Sequence, residues 1–269
     1  MVLVGVLWIV AALSLIVTGL VYSVRGEVRL VSTARQSVEA QAKAGAAITL
    51  ALQNFLAQNQ RPVGIVRSRV SFQGDEIEVE MIPLNGWIDI NSASQPLLQA
   101  LFAVAGGASA AQASSLAEAT IQSRTQKDSR GQPQKFEVIE DLLRVPGVDY
   151  DLFSRIASLL TADSSGSGKV SVLAAPFGVI NVLSNGNEQL ARRIERDRDA
   201  NAVGLDTASL DPQYMDNAAS QRYFVQARIP LTGGGEFLFA RYVDMEGARQ
   251  EGLPWRIMHS TKIIVSATR

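Results

Sequence analysis

Val2-Leu-Val-Gly-Val-Leu-Trp-Ile-Val-Ala-Ala-Leu-Ser-Leu-Ile-Val-Thr-Gly-Leu20 decides how this chain is read. No charge precedes Arg25, and no proline interrupts the run. A helix crosses a hydrocarbon core with about 20 apolar residues. The run is therefore long enough to span a membrane, and Leu3, Leu7, Trp8, Ile9, Leu13, Leu15, Ile16 and Leu20 are its expected anchor residues. A cleaved secretory signal would have a basic start, a shorter apolar stretch and a small-residue cleavage site. Here the basic start is missing and the apolar stretch is too long.

The helix is expected to continue past the membrane. From Glu27 to Gln60 there is no proline, and Ala, Gln, Glu, Leu and Lys dominate. Val31, Val38 and Leu52, with Ala34, Ile48 and Phe55 alongside and Gly45 in the gap, form one stripe on a helix of period about 3.6. Pro62 stops it. The result is one helix of about 60 residues, near 90 Å long at 1.5 Å per residue. Its second half is either a stalk or a helix whose stripe covers a sheet.

After Pro62 the pattern changes to alternation with period two. Strands are expected over 63–72 and 77–82 around the turn Gln73-Gly-Asp-Glu76. Three more are expected over 222–231, 236–245 and 255–265, the first two joined by Thr232-Gly-Gly-Gly235. Together they predict one antiparallel sheet under the long helix. Between the two strand regions lies a helical stretch with weak internal repetition. Ile88–Leu101 resembles Val170–Leu183, and Leu116–Arg124 resembles Leu190–Arg198. Each unit reads as an extended lead-in, a short capped helix and a second helix ending in Arg. A further element, Phe136–Val148, belongs to the first unit, and the Ser/Gly loop Asp163–Lys169 separates the two. Leu97, Leu101, Leu116, Ile121, Leu142 and Leu143 are expected in the core. The fold class is thus α+β, with four segments. Residues 1–24 are the membrane part of the helix, and 25–86 its continuation with the first strands. Residues 87–218 form the helical insert, and 219–269 the last strands.

Composition narrows the function classes. Net charge is −1, so the basic surplus of a general nucleic-acid binder is missing. Cysteine is absent and His259 is the single histidine, which excludes thiolate chemistry and zinc sites of Cys/His type. A Ser-His-Asp arrangement would have to use His259, which sits in a strand-like run. No carboxylate is paired with a nucleophile at recognisable spacing, so no catalytic residue is assigned. The phrases Asp89-Ile-Asn-Ser-Ala93 and Leu142-Leu-Arg-Val-Pro-Gly-Val148 look like helix-hairpin-helix modules, which grip phosphate through outward N–H groups backed by Lys or Arg. Here Asp149 and Asp151 stand where phosphate would approach, and Ala105-Gly-Gly-Ala-Ser109 has no adjacent base. The modules read as packing units, with no nucleic-acid partner.

The start Leu3–Ser14, the phrases Gly86–Ala93 and Phe136–Val148, and the second unit Val170–Leu183 together resemble the K-type minor pseudopilins of the bacterial type II secretion system. The resemblance covers nearly the whole length. It implies a pilin-like fold with a helical (SAM-like) insert and a place at the tip of a periplasmic pseudopilus. It also implies a single-pass inner-membrane anchor with the body in the periplasm. The implied partners are the I-type and J-type minor pseudopilins, the major pseudopilin and prepilin peptidase. That topology opposes the charge pattern, because Arg25, Arg29, Arg35 and Lys43 follow the span and would hold the body in the cytoplasm. A basic leader removed by prepilin peptidase would resolve the conflict, making Met1 the processed and methylated residue. Pilin-type subunits mostly carry Glu at the fifth mature position, where it pairs with the amine of a neighbour; this chain has Gly5. A subunit without that carboxylate is expected to stand first in the filament, capping and nucleating it; close helix packing is the other reading of Gly5. The phrase Val172-Leu-Ala-Ala-Pro176 departs from the family's Asn-rich one, which puts the second unit in doubt. No cofactor is assigned. The resemblance implies calcium, and the loop Asp199, Asp206, Asp211, Asp216 offers four carboxylates where calcium takes about six to eight oxygens, but no ligand is named and a solvated loop is the other reading. A minor pilin of a type IV pilus and a membrane-tethered DNA receptor of a competence system remain open alternatives.

Overall fold

Helix α1 runs Val2–Ala57, about 84 Å at 1.5 Å per residue. The computed structural model describes residues 2–58, 61–127, 131–163, 166–200, 204–231, 235–246 and 252–265, without the side chains at 2–4, 9, 11–12, 15–16, 19–30 and 264–265. The expected turn at 232–235 lies mostly outside the described residues, as does Met1. α1 buries Ala40, Ala44, Ala47, Ile48, Ala51 and Leu52. The upper part of the expected stripe is corrected: Val31 and Val38 are each 69% exposed, because at 3.6 residues per turn both lie on the flank of the helix, well round from the face that Ala40, Ala44 and Ala47 bury. Alanines at the contact let helix and sheet approach closely, and Ile48 and Leu52 fill what remains.

The sheet has five strands in the order β1-β2-β5-β6-β7, all antiparallel. They are β1 Val66–Phe72, β2 Asp75–Pro83, β5 Arg222–Pro230, β6 Glu236–Asp244 and β7 Arg256–Val265. The β1–β2 connection is tighter than expected, two residues rather than four. Gln73 and Gly74 both take positive φ, 53° and 86°, the conformation a two-residue hairpin imposes. Val70, Ile77, Val79, Met81, Tyr223, Val225, Ala227, Phe237, Phe239 and Val243 meet α1 in one apolar cluster, closed at the end of the sheet by the buried Trp255.

Between β2 and β5 the chain builds a helical body with its own core. Two short parallel strands, β3 Ile88–Asp89 and β4 Leu160–Thr161, tie the start of the body to the end of its first unit. The first unit is α2 Gln95–Ala100, continued by a wide turn Leu101–Ala105, and then α3 Ala110–Thr125. A 3₁₀ turn Ile139–Arg144 and α4 Tyr150–Ile156 follow. The second unit is α5 Phe177–Leu183 and α6 Glu188–Asp199, so the departure at Val172–Pro176 leaves its two helices in place.

The internal repeat has a physical basis at its arginines. Arg124, closing α3, donates from Nη1 to the Ile90 carbonyl at 2.9 Å and from Nη2 to that of Ala93 at 2.8 Å. Arg198, closing α6, donates to the carbonyl of Ala175. Ala93 and Ala175 hold the same place just before α2 and α5, so each unit is locked by one arginine reaching back to its own lead-in. Four of the six expected core positions are buried: Leu97, Leu101, Leu116 and Leu142. Ile121 is half-buried. Leu143 is 38% exposed, because the 3₁₀ turn points Leu142 inward and its neighbour out. Leu142→Ala is expected to destabilise the chain by about 2–5 kcal/mol, and Leu143→Ala by no more than about 0.5 kcal/mol. Urea unfolding of the two purified variants checks the contrast; equal losses would contradict the assigned core.

Candidate functional site

The outer face of the sheet, away from α1, carries rows set by strand register. Ile82 pairs with Phe224, Phe224 with Tyr242, and Tyr242 with His259. Trp87 joins the row from the helical body. Its ring lies 6.2 Å from that of Phe224, Phe224 lies 5.1 Å from Tyr242, and Tyr242 lies 6.0 Å from His259. The first two pairs are edge-on, a favourable arrangement of ring quadrupoles. Segments 137–140 and 157–163 of the body overhang this ladder and enclose a groove of about 620 Å³. Burial pushes the Tyr242 hydroxyl above its ordinary pKa, and the charge of Glu140 adds to the shift. His259 makes no hydrogen bond to a nucleophile or carboxylate among the described residues, and its ring packs on Tyr242. The groove offers aromatic contact area beside the carboxylates of Glu137, Glu140 and Asp163.

Next to the ladder the body is fastened to the sheet by charge. Arg222 lies between Asp163 of the body and Asp244 of β6, with Nε–Oδ2 3.3 Å to the latter. Arg256 reaches the same Asp244 oxygen at 3.4 Å. Gly86 packs where any Cβ would strike the backbone of Ala174, so the phrase Gly86–Ala93 begins with a residue only glycine can supply. The Ser171 amide donates to Asn85 O at 2.7 Å and its hydroxyl to Val63 O at 3.2 Å, while Ile65 donates to Leu173 O at 3.3 Å. These bonds place the helical body at the end of α1 remote from Val2.

Asp89 is a second buried acid of this region. Its Oδ1 accepts the Asn91 amide at 3.0 Å, its Oδ2 accepts the Ser92 hydroxyl, and its carbonyl accepts Ala93 N–H at 2.8 Å. Asn91 in turn clamps the backbone of Phe136, donating to its carbonyl at 2.9 Å and accepting its amide at 2.8 Å. Burial pushes the Asp89 carboxyl up to about 6, opposed by the Ser92 and Asn91 hydrogen bonds and aided by the charge of Asp163.

The residues singled out from sequence are placed as follows. Gly5, Leu7, Trp8 and Leu13 are exposed on α1, and a Cβ at Gly5 would meet nothing within 4 Å. The side chains of Leu3, Ile9, Leu15, Ile16 and Leu20 lie outside the described residues. Among the described residues no helix is long and apolar enough to cross a membrane. The four loop aspartates do not converge. Asp199 pairs with Arg198 at 2.9 Å, and Asp206, Asp211 and Asp216 each accept a nearby amide, from Ala208, Gln213 and Ala218. Among the described residues no group of three or more acidic or histidine side chains is placed to hold a metal ion. Asp149, set against phosphate in the hairpin reading, caps α4 through the Leu152 amide at 2.7 Å. The aromatic ladder and the Arg222 junction were missed from sequence. No local signal points to them, because they depend on the register of strands far apart in the chain.

The fold is similar to that of a chain in the crystal structure of the GspK-GspI-GspJ complex from the enterotoxigenic Escherichia coli type 2 secretion system. The match has 13% identity and a TM-score of 0.55, and covers 88% of this chain and 99% of that one. At that identity the likeness is one of fold. No family model and no curated protein matches the chain.

The Asp89 carboxyl yields a pH prediction. Its folded pKa of about 6 lies above the ordinary 3.8. Between those values the folded chain holds more protons than the unfolded one, so stability from this group is full below the lower value and is lost as pH rises through the upper. Asp89→Asn, neutral at every pH and still able to accept the Asn91 amide, should remove up to about 3 kcal/mol of the stability lost between pH 4 and 7. Urea midpoints across that range, with Asp163 and Arg124 left intact, measure it; an unchanged slope would refute the assignment.

Proposed function

We propose that this chain is a non-enzymatic minor pseudopilin: a membrane-anchored structural subunit that caps and nucleates a type II secretion pseudopilus. The observation that carries the reading is the placement of the helical body. It is inserted between β2 and β5 and fastened near Val63, Ile65 and Ser171, at the end of α1 away from the anchor. A neighbour stacked beyond that end would meet the body before it met the sheet. The likeness to a chain of a complex that contains GspI and GspJ supports partners of the same kind.

In this reading residues 1–24 anchor the chain in the inner membrane, and the rest of the chain faces the periplasm. The sheet segments 25–86 and 219–269 carry the pilin-like contacts, and 87–218 is the cap. The I-type, J-type and major pseudopilins are the neighbours, prepilin peptidase is the processing enzyme at Met1, and nucleic acid is no partner. Intramembrane charge is costly unless paired, so the uncharged Gly5 suits a subunit with no neighbour above it.

Photo-cross-linkers placed at Leu7 and Trp8, and at exposed body positions including Tyr150, test the cap. Capture of neighbours from the anchor positions, with none lying across the body's far end, is expected. Gly5→Glu should leave the chain's own fold unchanged and reduce the number of filaments started. A subunit captured across the far end of the body would end the cap reading.

A further inference from the structure

Arg241 on β6 differs from the other enclosed cations of the described chain. Arg222 has two carboxylates, Arg124 two carbonyls, Arg198 a carbonyl and Asp199, and Lys43 both Asp75 and Glu39. The Arg241 Nε is buried and finds no hydrogen-bond partner among the described residues, and no ion pair there includes this side chain. Its guanidinium rests over the Phe239 ring at 5.2 Å and faces Gly45 of α1, where a Cβ would come within 3.3 Å of Nη2. Burial lowers its pKa, and no neighbouring charge offsets the effect.

The guanidinium sits in an open groove of about 810 Å³ along the flank of α1, walled by Val38, Ala42, Gly45, Ala46 and Thr49 and floored by Phe239. The groove follows α1 from Val38 to Gln53, about 22 Å at 1.5 Å per residue. That is the length of four helical turns, and the low wall allows a second helix to approach closely. A cation held partly out of water without a partner is costly, and a carboxylate delivered by a neighbour offsets that cost. Gly45 stands 21 positions beyond Val24, the last residue before the first charge. On the anchored reading this places the groove about 30 Å past the span, beyond lipid headgroups.

We propose that this groove seats a helix of a neighbouring pilin-like subunit, and that an Asp or Glu on that helix forms an ion pair with Arg241. The proposal rests on the minor-pseudopilin reading and adds the chemistry of the contact. Arg241 is then a specificity residue: it rewards a carboxylate at one level of the incoming helix and rejects a base there.

The full chain, co-expressed with its I-type and J-type subunits and solubilised in detergent, provides the test. Arg241→Gln should weaken association by about 30-fold or more and remove most of its salt dependence. It should change the thermal stability of the free chain only slightly, since there the charge meets the Phe239 ring but no acid. Arg67→Gln, which removes a guanidinium already paired with Glu80 at 2.9 Å, should associate as wild type does. Association untouched by Arg241→Gln overturns the proposal and leaves the pseudopilin reading standing. A wild-type chain that binds neither subunit overturns that reading, and the proposal with it. If Arg241→Gln proves unstable, a photo-cross-linker at Gln41 in the otherwise wild-type chain decides. Capture of a subunit's helix beside an acidic residue supports the proposal; capture of a second copy of this chain, or of nothing, overturns it.

Discussion

The Asp163–Arg222–Asp244 contact holds the two halves of this protein together. Arg222 is the first residue of β5, where the chain returns to the sheet after the helical body. Its guanidinium touches a carboxylate on each side, and all three side chains are largely buried. Removing one partner from such a group leaves a buried charge uncompensated, which typically costs about 3–5 kcal/mol. The contact therefore fixes where the body sits more strongly than its own strength suggests. The Trp87–Phe224 ring contact and the close approach of Gly86 to Ala174 act at the same seam. The seam holds the body at the end of the molecule remote from Val2.

The same logic explains the different chemistry of the sheet's two faces. The inner face meets α1 through an apolar cluster, and alanines on the helix set the distance. The outer face carries rows that pair aromatic with aromatic and acid with base. Arg67, Glu80 and Gln226 form one such row across β1, β2 and β5. Arg241 is an enclosed cation on the inner face with no acid to meet it among the described residues. On the pseudopilin reading, an incomplete pair of this kind would mark where the next chain contributes.

Much of the fold was legible in the sequence because its signals are local. The charge-free run and the absence of proline before Pro62 give the long helix, and period-two alternation gives all five strands of the main sheet. The repeat was visible in apolar spacing, and the structure shows why both units end in arginine, since Arg124 and Arg198 each reach back to bind a carbonyl of their own lead-in. The expectations that failed depended on which way a side chain faces a partner surface. Val31 and Val38 fit a helical stripe yet are exposed, because they lie on the flank of α1 rather than on the face buried by Ala40, Ala44 and Ala47. Leu143 reads like Leu142, but a 3₁₀ turn separates their directions. The aromatic groove and the Arg222 seam depend on strand register across chain separations that local pattern does not encode.

On the proposed reading, a subunit that carries its bulk at the far end of a long helix should occur once in the filament, at an end. Immunogold labelling of assembled filaments with an antibody raised against the helical body measures this directly. The account predicts gold at a single end of each filament and bare shafts between. Label distributed along the shaft would contradict it.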